Sequence, residues 1–231
     1  MAESNRKHRL PGFDQALEAL RADALLMGTL VRRSFHNAKT GFEQRDDEAC
    51  TAAIADDEEI DVLEKQLDKA ATEFLLRYAP VAFDLRIVLS TMKAGSIFER
   101  LADLAVTIAR RARQLNQQAP LEEALKAHPA LETLERALTL GWAACSELDG
   151  QSAERIRVEM EPLAQAARDL EEGFSTLIPE RPQHARTLVN LMAVAQSLEA
   201  SAYLVENLAE AVIYAAEAKD VRHPRNKLEM V

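Results

Sequence analysis

A chain of 231 residues with a formal net charge of −10 and 48% hydrophobic but only 5% aromatic residues can bury a core as one large domain or two small ones. The negative surface field works against nucleic acid as a partner, since phosphate backbones are held by clustered Lys and Arg. With 7 Gly and 8 Pro in all, the apolar content falls mainly on Ala and Leu, which lowers the cost of helices.

Residues 1–12 read as a flexible N-terminus carrying Arg6, Lys7, His8 and Arg9. No apolar run of signal-peptide or membrane-spanning length follows it or is expected elsewhere. This predicts a cytoplasmic protein with at most peripheral membrane association, because so few basic residues attract an anionic surface by only about 1 kcal/mol each.

Breakers at Pro11-Gly12, Thr40-Gly41, Tyr78-Ala79-Pro80, Asn116 to Pro120, His128-Pro129, Asp149-Gly150 and Ile178 to Pro182 divide the rest into about six segments with helical period. In the first, Leu17, Leu20, Ala24, Met27 and Val31 form one stripe. In the second, Cys50, Ala53, Ile60, Leu67, Ala71, Phe74 and Tyr78 form a seam that Asp57 and Glu64 interrupt. The third has a long seam, Ile87, Thr91, Ala94, Phe98, Leu101, Ala105, Ile108 and Ala112, and a second apolar face of Leu85, Val88, Leu89 and Met92. A helix wet on one side would not need both. Leu131, Leu134, Leu138, Gly141, Cys145 and Leu148 stripe the fourth, and two more helices run to about Lys219. The charged stretch 220–231, interrupted by Pro224, reads as a flexible tail.

Shifting the chain by 100 residues lays Arg86 on Arg186, Met92 on Met192, Glu99 on Glu199, Ala102 on Ala202, Leu104 on Leu204 and Ala109 on Ala209. The third segment's seam reappears as Thr187, Leu191, Val194, Leu198, Ser201, Val205, Leu208 and Val212. The fold predicted is therefore all-α: six long antiparallel helices as two tandem three-helix bundles, one repeat over 13–118 and the other over 119–219.

The acidic run from Asp56 to Glu64 carries the chemistry. Asp57 and Asp61 project from one side of a helix one turn apart, with Glu64 a turn further on, and Glu99 and Asp103 repeat the spacing on the third segment. If those helices are neighbours, four or five hard oxygen donors can converge, a set suited to divalent iron, manganese, magnesium or zinc. The plainer alternative is a solvated face with Lys65, Arg100 and Arg110 as loose ion-pair partners, each pair contributing about 0.3–0.5 kcal/mol. Under the repeat shift Asp57 meets Arg157, Glu64 meets Ala164 and Asp103 meets Tyr203, leaving only Glu161 and Glu199 as a degenerate second-repeat site. Arg157 in place of a carboxylate would repel a metal there.

Other chemistries find no support. Cys50 and Cys145 lie in no C-x-x-C or Cys/His spacing and read as small buried hydrophobes. His36 and His184 have no ligand partner at helical spacing, His128 precedes a proline, and His8 and His223 fall in the tails. Without H-E-x-x-H, E-x-x-H, G-x-S-x-G, G-x-x-x-x-G-K-[ST] or G-x-G-x-x-G, neither catalytic residues nor an organic cofactor are expected.

Three stretches together resemble the PhoU family of bacterial phosphate-signalling regulators: Asp57-x-x-Ile60-Asp61-x-Leu63-Glu64, then Pro80-Val81-Ala82-Phe83-Asp84-Leu85-Arg86, then Glu99-Arg100-Leu101-Ala102-Asp103 with Ala105 and Ile108-Ala109. In the middle stretch Pro80 fits the first turn of a helix and Asp84 its positive end. The resemblance implies two three-helix repeats whose carboxylate motifs hold multinuclear metal clusters, falling here on Asp57, Asp61, Glu64, Glu99 and Asp103. It also implies a non-enzymatic, often dimeric adaptor. Such an adaptor represses the phosphate-starvation response by linking the ATPase of the phosphate ABC transporter to a sensor histidine kinase. The rivals are a carboxylate-bridged di-iron-like enzyme or metal store, which would recruit His through Glu-x-x-His pairs absent here, and a helical adaptor unrelated to phosphate.

Overall fold

A computed structural model describes residues 10–222. Six α-helices follow one another: α1 (Phe13–Glu43), α2 (Asp47–Tyr78), α3 (Ala82–Asn116), α4 (His128–Glu147), α5 (Gly150–Glu180) and α6 (Ala185–Glu217), with short 3₁₀ helices over Glu122–Ala127 and Pro182–His184 leading into α4 and α6. Among the described residues there is no strand. The architecture is two three-helix bundles, α1–α3 and α4–α6, joined chiefly by α3 packing on α6. Most of the expected N-terminal and C-terminal tails, residues 1–9 and 223–231, lies outside the described residues. Val221, within the expected tail, packs against the core.

The same device starts the second helix of each bundle. Asp46 accepts hydrogen bonds from the backbone N–H groups of Glu48 (2.9 Å) and Ala49 (3.0 Å), and Asp149 does so from Gln151 and Ser152 (both 3.0 Å). Each cap satisfies two helix-end donors and stabilises by about 1 kcal/mol. Left-handed residues end three of the helices: Ala79 closes α2, Leu148 closes α4 and Ala218 closes α6.

Both long seams are buried throughout their length, from Ile87 to Ala112 on α3 and from Thr187 to Val212 on α6. The second face of α3 is only partly covered. Val88 is buried in the core whereas Leu89 is exposed, because α6 crosses α3 along one strip and leaves the flank open. By length and composition α6 is apolar enough to cross a membrane, contrary to the sequence expectation, and its most apolar stretch is 61% buried within the protein. Its apolarity is accounted for by packing against α5, α3 and α4 at once.

Two breaks fall elsewhere than expected. α1 runs through Thr40-Gly41 to Glu43, since Gly41 is there for proximity rather than for termination: a Cβ would lie 2.2 Å from Cys50 Sγ and 3.0 Å from the Asp46 carbonyl. Pro80 is not in the first turn of α3, which starts at Ala82 with Val81 as its N-cap; the left-handed Ala79 and Ala82 bracket the turn instead. Asp84 does stand in that first turn.

Polar contacts tie α1 to α4. Trp142 donates from Nε1 to the Leu25 carbonyl (2.9 Å) beneath the Arg32 guanidinium, Arg21 donates to the Ser146 carbonyl (3.0 Å), and Glu135 accepts from Lys39 (2.9 Å) and pairs with His36 (2.7 Å). Gly28 lets Trp142 seat: a Cβ would stand 2.7 Å from the indole and 2.8 Å from the Phe98 ring. Gly28→Ala is expected to cost about 1–3 kcal/mol through overpacking of rigid rings. Gly173→Ala, where a Cβ meets nothing, should instead stabilise by about 0.5–1 kcal/mol. Urea unfolding of the two variants checks both signs.

Candidate functional site

The turn over residues 79–81 folds α3 back along α2, so the acidic positions meet in antiparallel order. Ser96 Oγ donates to Glu64 Oε1 (3.1 Å) at one end, and Asp57 and Asp103 influence one another at the other. Asp61 and Glu99 lie between them in the same stepping. The structure thus brings Asp57, Asp61, Glu64, Glu99 and Asp103 to one face. Asp56, the first residue of the acidic run, turns away and pairs with Arg33 of α1 (2.8 and 3.0 Å).

Burial and mutual repulsion leave this face short of positive charge. The carboxyl of Asp57 titrates above its usual range, first because burial disfavours its charged form and then because of Asp103 and Asp61; Arg110 offsets part of this. Glu99 is raised likewise by burial, then by Asp103, Glu64, Asp61 and Asp57. One oxygen of Asp57, Oδ1, is buried without a hydrogen-bond partner. Among the described residues no ion pair joins Lys65 or Arg100 to these carboxylates, while Arg100, Asp103 and Arg110 are exposed and Arg110 acts on Asp57 through its charge.

The donor set, hard oxygens only, and the orphaned Asp57 oxygen suit a hard divalent cation in chemistry. Among the described residues the side chains are not drawn into a group of three that would hold a metal ion.

In the other bundle Glu161 and Glu199 do meet, around a cation the sequence reading missed. Arg168 of α5 donates to Glu161 Oε1 (2.8 Å), to Glu199 Oε1 (3.0 Å) and to the Tyr203 hydroxyl. Arg157, expected to repel a metal, is turned into its own pairs with Glu154 (2.9 Å) and Glu206 (3.8 Å). The available signal for Arg168 was its place seven residues after Glu161, two turns along the same face. His36, which has no ligand partner at helical spacing, pairs across the bundle boundary with Glu135.

Residues 24–112 match the PhoU domain family model, a span that contains all five carboxylates of the α2–α3 face. Those residues form a PhoU domain by that match. Its relatives include the phosphate-specific transport system accessory protein PhoU of Serratia marcescens, 27% identical over 94% of this chain and 89% of that protein. That of Escherichia coli K12 is 25% identical over 94% and 90%. A PhoU homolog of Xylella fastidiosa Temecula1 is 26% identical over 99% and 95%. The crystal structure of PhoU from Pseudomonas aeruginosa shares the fold, with a TM-score of 0.86 at 24% identity over 90% of this chain and all of that one.

In this chain the raised carboxyls set a pH dependence. Asp57 and Glu99 bind protons more tightly folded than unfolded, so from their ordinary values of 3.8 and 4.5 upward stability falls as pH rises, until both are ionised in the folded state too. In chelator, Asp57→Asn should therefore be more stable than the parent at pH 7, by roughly 0.2–0.5 kcal/mol for each like-charged neighbour relieved. The gain should vanish near pH 3. Urea unfolding at the two pH values measures it, and an equal difference at both would reject the assignment.

Proposed function

We propose that this protein is a negative regulator of the phosphate-starvation response. It is a cytoplasmic, dimeric adaptor without turnover of its own that links the ATPase of a phosphate ABC transporter to a sensor histidine kinase. The observation that carries this reading is the near full-length likeness to proteins named phosphate-specific transport system accessory protein. The exposed Leu76, Val81 and Phe83 around the α2–α3 turn suit an adaptor that docks other proteins. Burial pushes Cys50 up to about 11 and Cys145 up to about 12, so neither is a nucleophilic thiolate at neutral pH.

Within the same reading, Asp57, Asp61, Glu64, Glu99 and Asp103 hold a divalent cation: iron, manganese, magnesium or zinc. Once bound, the cation supplies the positive charge that offsets their repulsion. The chain's own part is to present the donors from two helices and to keep Asp57 Oδ1 free of a competing partner.

Deletion of the gene with a phosphate-regulated reporter tests the regulatory role. The reporter should be switched on even in high phosphate, and full repression would overturn the assignment. For the metal, Mn²⁺ at about 100 times its Kd should stabilise the protein by about 2.7 kcal/mol. Asp57→Asn should abolish most of that gain in thermal unfolding.

A further inference from the structure

The repeat that relates the two bundles also relates the two ends of the α3–α6 joint, and the ends are filled differently. At one end Arg111 of α3 donates to Asn190 of α6 (3.4 Å). The shift of 100 residues carries that pair onto Ala211 of α6 and Ser90 of α3 at the other end. Ala211 has no side chain to reach across, and Ser90 Oγ is buried without a hydrogen-bond partner. Three neighbouring positions are smaller at this end too: Thr91 stands for Leu191, Ala94 for Val194 and Ala215 for Leu115. Phe98, standing for Leu198, gives back only part of the lost volume. What remains is a cavity between α1, α3, α4 and α6, lined by these small residues and by Arg21, Leu208 and Val212. Its volume is about 40 Å³, opening into about 450 Å³ of unfilled space that includes the mouth.

The polar groups on its walls are donors without an acceptor. Thr91 is 8% exposed, and its hydroxyl has no hydrogen-bond partner among the described residues. Ser90 supplies a second such hydroxyl. Arg21 is the one charged residue among the described residues lining the cavity, and only one of its nitrogens is engaged, by the Ser146 carbonyl. We propose that this cavity binds a small amphipathic carboxylate. A single ring or short chain lies against Phe98, Leu208 and Val212, and the carboxylate accepts hydrogen bonds from Ser90, Thr91 and Arg21. Apolar walls with a few placed polar groups are the ordinary make-up of a small-molecule site, and a guanidinium beside hydroxyl donors suits an acceptor-only head. A cation is turned away by Arg21. Inorganic phosphate has no apolar body to cover the walls and must shed water to enter.

The site belongs to neither bundle alone. Its walls come from α1 and α3 on one side and from α4 and α6 on the other. An occupant adds contacts across the joint and favours the arrangement in which the four helices close on it. This gives the joint a small-molecule input that is separate from the acidic face of α2 and α3 and does not depend on a cation there.

The test follows thermal unfolding of the full chain with benzoate as the probe, together with alkylation of Cys145, which lines the cavity. Benzoate at ten times its Kd should raise the melting temperature by about 3–6 °C and slow the alkylation. Thr91→Val, which removes the hydroxyl at nearly constant volume, should weaken benzoate about tenfold. Ala211→Arg, which copies the filled end of the joint, should abolish both effects. Ala94→Val fills the cavity more gently and should reduce both, so the comparison does not hang on the folding of Ala211→Arg. Inorganic phosphate at the same concentration should produce neither effect. Absence of both effects in the parent protein would overturn the proposal, as would a rise in melting temperature without protection of Cys145. Benzoate effects that survive Thr91→Val and Ala94→Val unchanged, or phosphate effects as large as those of benzoate, would overturn it equally.

Discussion

Two helices joined by a tight turn and packed antiparallel must present whatever their facing stripes carry to one another at side-chain distance. On α2 and α3 those stripes carry carboxylates, and the repulsion is sharpened because the same packing that builds the core takes Asp57 and Glu99 partly out of water. The charge properties of the first bundle's outer face descend from this. Asp57 keeps a buried oxygen unpartnered, two carboxyls hold protons more tightly than they would unfolded, and the face is poised to gain from a cation. The second bundle has the same backbone arrangement and has met the same constraint internally, with Arg168.

The halves are not independent bodies. A continuous core runs from α1 through α3 and α6 to α5, and α1 is tied to α4 by Trp142, Arg21 and the His36–Lys39–Glu135 group. α3 is the common member. It carries Glu99 and Asp103 on one face while burying Val88 and its long seam in the core on others. A change of charge on the outer face of α3 therefore acts on a helix whose opposite side is the joint between the bundles.

The helical period of the sequence made much of the fold legible. The seams of α3 and α6 are buried at every position that the stepping picked out, because burial and period are two views of the same packing. The first-bundle carboxylates were legible too, since spacing of three and four along a helix has only one geometric meaning. What misled was local signals that the neighbours reinterpret. Gly41 reads as a breaker but sits within α1 because Cys50 leaves no room for a Cβ. The apolarity of α6 also exceeds what its own periodicity explains, because three helices cover it.

By itself the sequence determined the class of fold, the doubling of the three-helix unit and the acidic face of its first half, since all three follow from residue type at helical spacing. Tertiary structure alone decided which carboxylates find a cation. Arg168, Arg157, Lys65, Arg100 and Arg110 look alike in the chain, and only packing brings Arg168 between Glu161 and Glu199 and turns Arg157 toward Glu154 and Glu206. Ion pairing depends on distances of a few ångströms between residues some thirty positions apart, and that separation is set by how α5 lies on α6.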